Sequence, residues 1–165
     1  MSNLVQVGLS PSKRLRTAWV VLLSDIGIPV YDTAVPEDVT TPNFYVIIHD
    51  FTKEMNETCK DEIGWDCTVL IDIQQFQQQG YTNHDAVDDI EEVIINKVKL
   101  LDQFVVEDFD TESTRFINSR SQDVLQPPQL GTGRNLIRNV LTYEHTLYEK
   151  LVNTGFDYAF DFPLS

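Results

Sequence analysis

Two segments, Asn43-Phe-Tyr-Val-Ile-Ile-His-Asp-Phe51 and Gly64-Trp-Asp-Cys-Thr-Val-Leu-Ile-Asp-Ile-Gln-Gln-Phe76, decide how the chain is read. In the first, Phe44, Val46, Ile48 and Asp50 fall on one side, and Tyr45, Ile47, His49 and Phe51 on the other. Both sides are largely apolar, the mark of a strand covered on both faces. In the second, Trp65, Cys67, Val69, Ile71 and Ile73 alternate with Asp66, Thr68, Leu70 and Asp72, which predicts a half-buried strand. The polar stretch from Thr52 to Ile63 reads as a long exposed hairpin connection. After Gly80-Tyr81-Thr82-Asn83, a turn ending in a good N-cap residue, a helix is expected from His84 to about Leu101. Its apolar stripe of Val87, Ile90, Ile94, Val98 and Leu101 requires it to lie back across the hairpin.

Working outward, residues 1–9 form an arm, residues 10–151 one α+β domain, and residues 152–165 an aromatic and acidic tail. Ser10-Pro11 predicts a helix start. Leu15, Trp19, Leu22, Leu23 and Ile26 then share one helical face, and Gly27 and Pro29 stop the helix. Downstream, Ser113 to Asp123 alternates like a strand, with Thr114, Phe116, Asn118 and Arg120 on one side and Arg115, Ile117 and Ser119 on the other. Gln126-Pro127-Pro128 through Gly131-Thr132-Gly133 reads as a loop. The segment from Asn135 to Leu151 fits a strand or a helix by periodicity; its β-branched and aromatic content from Val140 to Thr146 favours a strand. The tail carries Phe156, Tyr158, Phe160 and Phe162, which need a surface to cover. The expected class is therefore α+β: a mostly antiparallel sheet with two helices packed on it.

The 165 residues carry 26 acids against 12 lysines and arginines, a formal charge of -14. Such a field repels nucleic acid and anionic membranes. Residues 83–112 hold ten of the acids and only two lysines, a local charge of -8. Lys13, Arg14 and Arg16 make a small basic patch, read either as a solvated helix face or as a contact for an acidic neighbouring subunit. No apolar run approaches the roughly 20 residues of a membrane span. Residues 1–9 lack the features of a secretory signal, and the cytosol is the expected place of synthesis, with Cys59 and Cys67 reduced.

No catalytic constellation is legible. His49, His84 and His145 are far apart and none has a second ligand at metal spacing. Asp66 and Asp72 share a strand face but stand about 20 Å apart by strand rise, too far to cooperate as acid and base. Gly131-Thr132-Gly133-Arg134 lacks the Lys-Ser/Thr pair of a phosphate loop and reads as a turn. The acids of residues 85–92 lack the calcium-loop spacing.

Taken together, Leu15 to Leu23 with Gly27-Ile28-Pro29-Val30-Tyr31, Val35-Pro36, Pro42-Asn43-Phe44-Tyr45-Val46, the strand Cys67 to Ile73, the turn Tyr81 to Asp85 and a last strand near Ile137 to Thr146 resemble the tail-completion or tail-terminator proteins of tailed bacteriophages, a head–tail connector family. The likeness spans roughly residues 10–150 and is a pattern of elements rather than a fixed motif. The long hairpin connection, residues 102–134 and the aromatic tail depart from it, and leave a neck adaptor or ring position open beside a tail-end one. The resemblance implies a structural virion protein, not an enzyme, with no cofactor and no metal. It implies a homo-oligomeric ring, six-fold or twelve-fold, at the head–tail junction or tail end. Its partners would be portal, adaptor or tail-tube proteins, with DNA passing through without specific binding and no membrane. Lys13, Arg14 and Arg16 are then the candidate subunit interface, and Asp88, Glu91 and Glu92, off the apolar stripe, the candidate channel-facing acids. Two rival readings stand beside this one: an acidic decoy that imitates DNA and blocks a basic host DNA-binding protein, and a small enzyme.

Overall fold

The computed structural model describes residues 4–5, 10–59, 62–78, 83–129, 132–150 and 152–153, with side chains described for 10–49, 52–56, 63–78, 83–124 and 134–150. The elements run β1 (Leu4–Val5), α1 (Pro11–Leu22), β2 (Val30–Asp32), β3 (Phe44–Cys59), β4 (Glu62–Gln78), α2 (Asp85–Lys99), β5 (Phe109–Gln129), β6 (Thr132–Glu149) and β7 (Val152–Asn153). The main sheet has the order β2-β3-β4-β6-β5, and β1 pairs antiparallel with β7 in a second, two-stranded sheet. Every neighbour pair in the main sheet is antiparallel except β2 with β3, so the class is α+β.

Alternation sorts the sheet into two faces. Val46 and Ile48 of β3, Val69, Ile71 and Ile73 of β4, and Ile137, Leu141, Tyr143 and Leu147 of β6 point to the helices and are buried. Leu15, Trp19 and Leu23 of the first helical segment and Val87 and Ile94 of α2 close that core. The stripe spacing that predicted both helices therefore does bury against the hairpin. Trp19 is the centre of the arrangement: its ring lies 4.9 Å from Phe104, 4.8 Å from Tyr143 and 5.7 Å from His145. It joins α1, the segment after α2, and β6.

Three boundaries differ from the sequence reading. The stretch from Thr52 to Ile63 is strand over most of its length, because β3 continues to Cys59 and β4 begins at Glu62. Thr52, Lys53, Glu54 and Met55 stand exposed on this ribbon, where neither face has to be apolar. The expected loop around Pro127 and Pro128 lies instead at the end of β5, which runs to Gln129 with a register shift between Gln126 and Gln129. As an edge strand, β5 has one side free of ladder bonds and tolerates proline there. Helix α1 ends at Leu22 rather than at Gly27; Gly27 sits in the following turn with φ of 91°. The segment from Asn135 onward is strand, as its β-branched content favoured. The aromatic tail call on Phe156 to Phe162 lies outside the described residues.

The strands are long. At about 3.3 Å per residue, the 18 residues of β6 extend roughly 60 Å. The 15-residue α2 is only about 22 Å long at 1.5 Å per residue. The helices therefore cover the middle of one sheet face, and among the described residues no helix lies on the opposite face. Among the described residues, no helix is long and apolar enough to cross a membrane.

Candidate functional site

Each surface that could act on something outside the domain is built from a different element. On α1, Lys13 is exposed, while Arg14 donates from Nε to Asp108 Oδ2 at 2.8 Å and Arg16 from Nε to Asp32 Oδ1 at 2.5 Å. Two of the three cations in the predicted patch thus tie α1 to the turn before β5 and to β2. The patch borders a shallow groove of about 640 Å³ that contains the exposed Val21 and Val105.

The acids of α2 divide into two groups. Asp88 and Glu91 converge on the buried Asn139 of β6, whose Nδ2 donates to Asp88 Oδ1 at 2.8 Å and to Glu91 Oε2 at 2.5 Å. Asp85, Asp89 and Glu92 stand exposed on the outer side of the helix. The three acids singled out from the sequence are therefore not equivalent: two hold the helix to the sheet and Glu92 faces solvent. At the ends of α2, Lys97 Nζ reaches Asp25 at 2.6 Å and His84 reaches Asp123 at 2.8 Å. Tyr143 lies deep below this helix. Burial, with the Glu91 charge adding to it, pushes its phenol up to about 12.

The bare sheet face holds what the sequence reading missed. Arg115 and Arg120 of β5 and Arg138 of β6 surround an apolar floor of Leu70 and Val140, flanked by Thr68, Thr142 and Glu144, in a shallow cavity of about 630 Å³. Strict alternation puts Arg115 and Arg120 on opposite faces. A register shift between Phe116 and Asn118 adds one residue to β5, so Arg115 pairs with Glu144 and Arg120 with Val140. Both partners are even-numbered residues of β6, so both arginines share the bare face. No residue type in β5 signals that bulge in advance.

Two of these arginines have partners inside the chain. Arg115 Nη2 meets Glu144 Oε2 at 2.5 Å, with the guanidinium still 70% exposed. Arg138 grips Asp72 with two bonds, Nε to Oδ1 at 3.2 Å and Nη2 to Oδ2 at 2.6 Å. Asp72 is buried, and Gln74 Nε2 also donates to it, at 2.8 Å. Arg120 is exposed.

One further cluster of chemical groups is internal. Trp19 Nε1 donates to His145 Nε2 at 3.0 Å, and Thr114 Oγ1 lies 3.0 Å from His145 Nδ1. An imidazole nitrogen that accepts from an indole carries no proton, so the proton sits on Nδ1. Burial lowers the His145 pKa to about 3, and the ring is a neutral, packed core group. Among the described residues, no group of His, Cys, Asp and Glu gathers as a metal site.

Comparison with known proteins places this architecture. A chain from the "Virion of native gene transfer agent (GTA) particle" matches over 82% of this chain and 96% of that one, with a TM-score of 0.57 and 13% identity. The two chains share a fold. No protein-family model and no curated protein sequence matches.

Proposed function

We propose that this chain is a structural virion protein, a ring subunit at the head–tail junction or tail end of a tailed phage-type particle. The observation that carries the reading is the shared fold with a gene transfer agent virion chain, which runs over almost the whole of that chain. The order of elements also resembles the tail-completion and tail-terminator proteins. Two physical features support it. A chain of charge -14 surrounds passing DNA without holding it. The acids of α2 and the arginines of the bare sheet face lie on opposite sides of the domain, the arrangement a head-to-tail ring requires. The role is structural, in the virion, with portal, adaptor or tail-tube proteins as neighbours.

The test is electron microscopy and mass measurement of the purified chain, alone and mixed with portal, adaptor or tail-tube proteins. Rings, or rings formed only on such a partner, are the expected result. A monomer that binds none of them overturns the reading. Salt-sensitive capture of a basic DNA-binding protein would replace it with the decoy role.

A further inference from the structure

We infer that the arginine face of the sheet is the seat for helix α2 of a second copy of this chain, so that copies join head to tail. This rests on the assembly role proposed above and names the surfaces that carry it.

Charge decides the occupant. A chain of formal charge -14 repels its own copies over most of its surface. The bare face carries Arg115, Arg120 and Arg138 against two acids, Glu144 beside Arg115 and the buried Asp72 beneath Arg138, so the exposed Arg120 gives it a net positive charge. The outer side of α2 offers Asp85, Asp89 and Glu92, and the helix has no cation before Lys97. An arginine-bearing surface of one copy thus meets the acidic helix of the next. Nucleic acid is the other anionic candidate. It would meet the long-range repulsion of the whole chain, with Glu144 seated beside Arg115.

Shape agrees. A helix is about 10 Å across, and three strands, β4, β6 and β5, span about 10 Å at the usual spacing. The 15-residue α2, about 22 Å long, fits within the roughly 60 Å length of these strands. The floor of Leu70 and Val140 is apolar and half-buried, while Val93 on the outer side of α2 is 40% exposed. Seat and helix lie on opposite faces of one domain, so the contact is heterologous and generates a ring or a filament rather than a two-fold dimer.

The test uses two full-length variants, Arg120→Glu and the double change Asp89→Arg with Glu92→Arg. All these side chains are exposed, and circular dichroism and thermal melting confirm that each variant folds; Arg120→Gln replaces Arg120→Glu if the latter does not. Sedimentation and native mass are measured for wild type, each variant and their equimolar mixture. The wild type is expected to associate. Each variant alone should associate ten-fold or more weakly. The Arg120→Glu mixture should recover, because each variant retains the face that complements the other, and its oligomers should alternate between variants. With Arg120→Gln, the loss alone is read.

A wild-type chain that rings, with variants that ring equally well, overturns the seat and leaves the virion reading standing. A mixture of Arg120→Glu with the double variant that stays dissociated also overturns it. Wild-type chains that never self-associate overturn the seat too, and failure to bind any virion partner then removes the broader reading separately. Loss of duplex DNA binding in Arg120→Glu, with association unchanged, overturns the seat in favour of nucleic acid.

Discussion

Protonation of His145 should unfold this protein from within. The ring is buried, its Nε2 accepts from Trp19, and its pKa is lowered to about 3 by burial. In the unfolded chain the same group titrates near 6.5. Between those values the unfolded state holds one more proton than the folded state, so stability rises with pH by about 1.4 kcal/mol per unit. The contribution is whole above about pH 6.5 and is lost as pH falls. The loss is about 2 kcal/mol at pH 5 and about 4 kcal/mol at pH 3.

Carboxylates titrate over part of this range, so the useful quantity is a difference. Urea unfolding is measured for wild type and His145→Gln at pH 7.5, 6.5, 5.5 and 5.0. The variant has no imidazole to charge. Whatever stability it loses at pH 7.5 through poorer packing, the gap between the two proteins should narrow by about 2 kcal/mol by pH 5. The imidazole proton signals of His145 should also stay in the neutral form over that range. A gap independent of pH, or a folded-state imidazole that titrates near 6.5, would refute the reasoning.

Three other outcomes are expected. Arg138→Ala removes the two bonds that hold the buried Asp72 and should cost about 3 kcal/mol in denaturant unfolding; a change below about 0.5 kcal/mol would mean that Gln74 and solvent suffice. Gly64→Ala would bring a methyl within 2.7 Å of the Asn56 carbonyl oxygen and 2.8 Å of the Tyr148 ring. A loss of about 1–3 kcal/mol is expected from that crowding, and an unchanged melting temperature would show that the hairpin yields freely. In a spectrophotometric titration one phenol, Tyr143, should ionise near 12; Tyr143→Phe should remove that step and leave the lower ones.

Periodicity, with β-branched content deciding the strand at Val140 to Thr146, determined the class of this fold. The stripes of Leu15–Trp19 and Val87–Ile94 name the helices, and the alternation of Cys67–Ile73 names a strand, because burial on one face imposes those periods whatever the topology. The ends of the ribbons escaped that logic. Residues 52–55 and 121–124 are exposed, and no buried face writes a pattern into the sequence there. Side-chain charge showed that the acids crowd α2, yet only the packed structure separated Asp88 and Glu91, bound to Asn139, from the outward Glu92. The partners of Arg14 and Arg16 are likewise distant in sequence. The arginine face was decided by tertiary structure alone. One extra residue between Phe116 and Asn118 shifts β5 against β6 and brings Arg120 to the side of Arg115. A bulge is a property of two paired strands, so the sequence of one strand does not announce it.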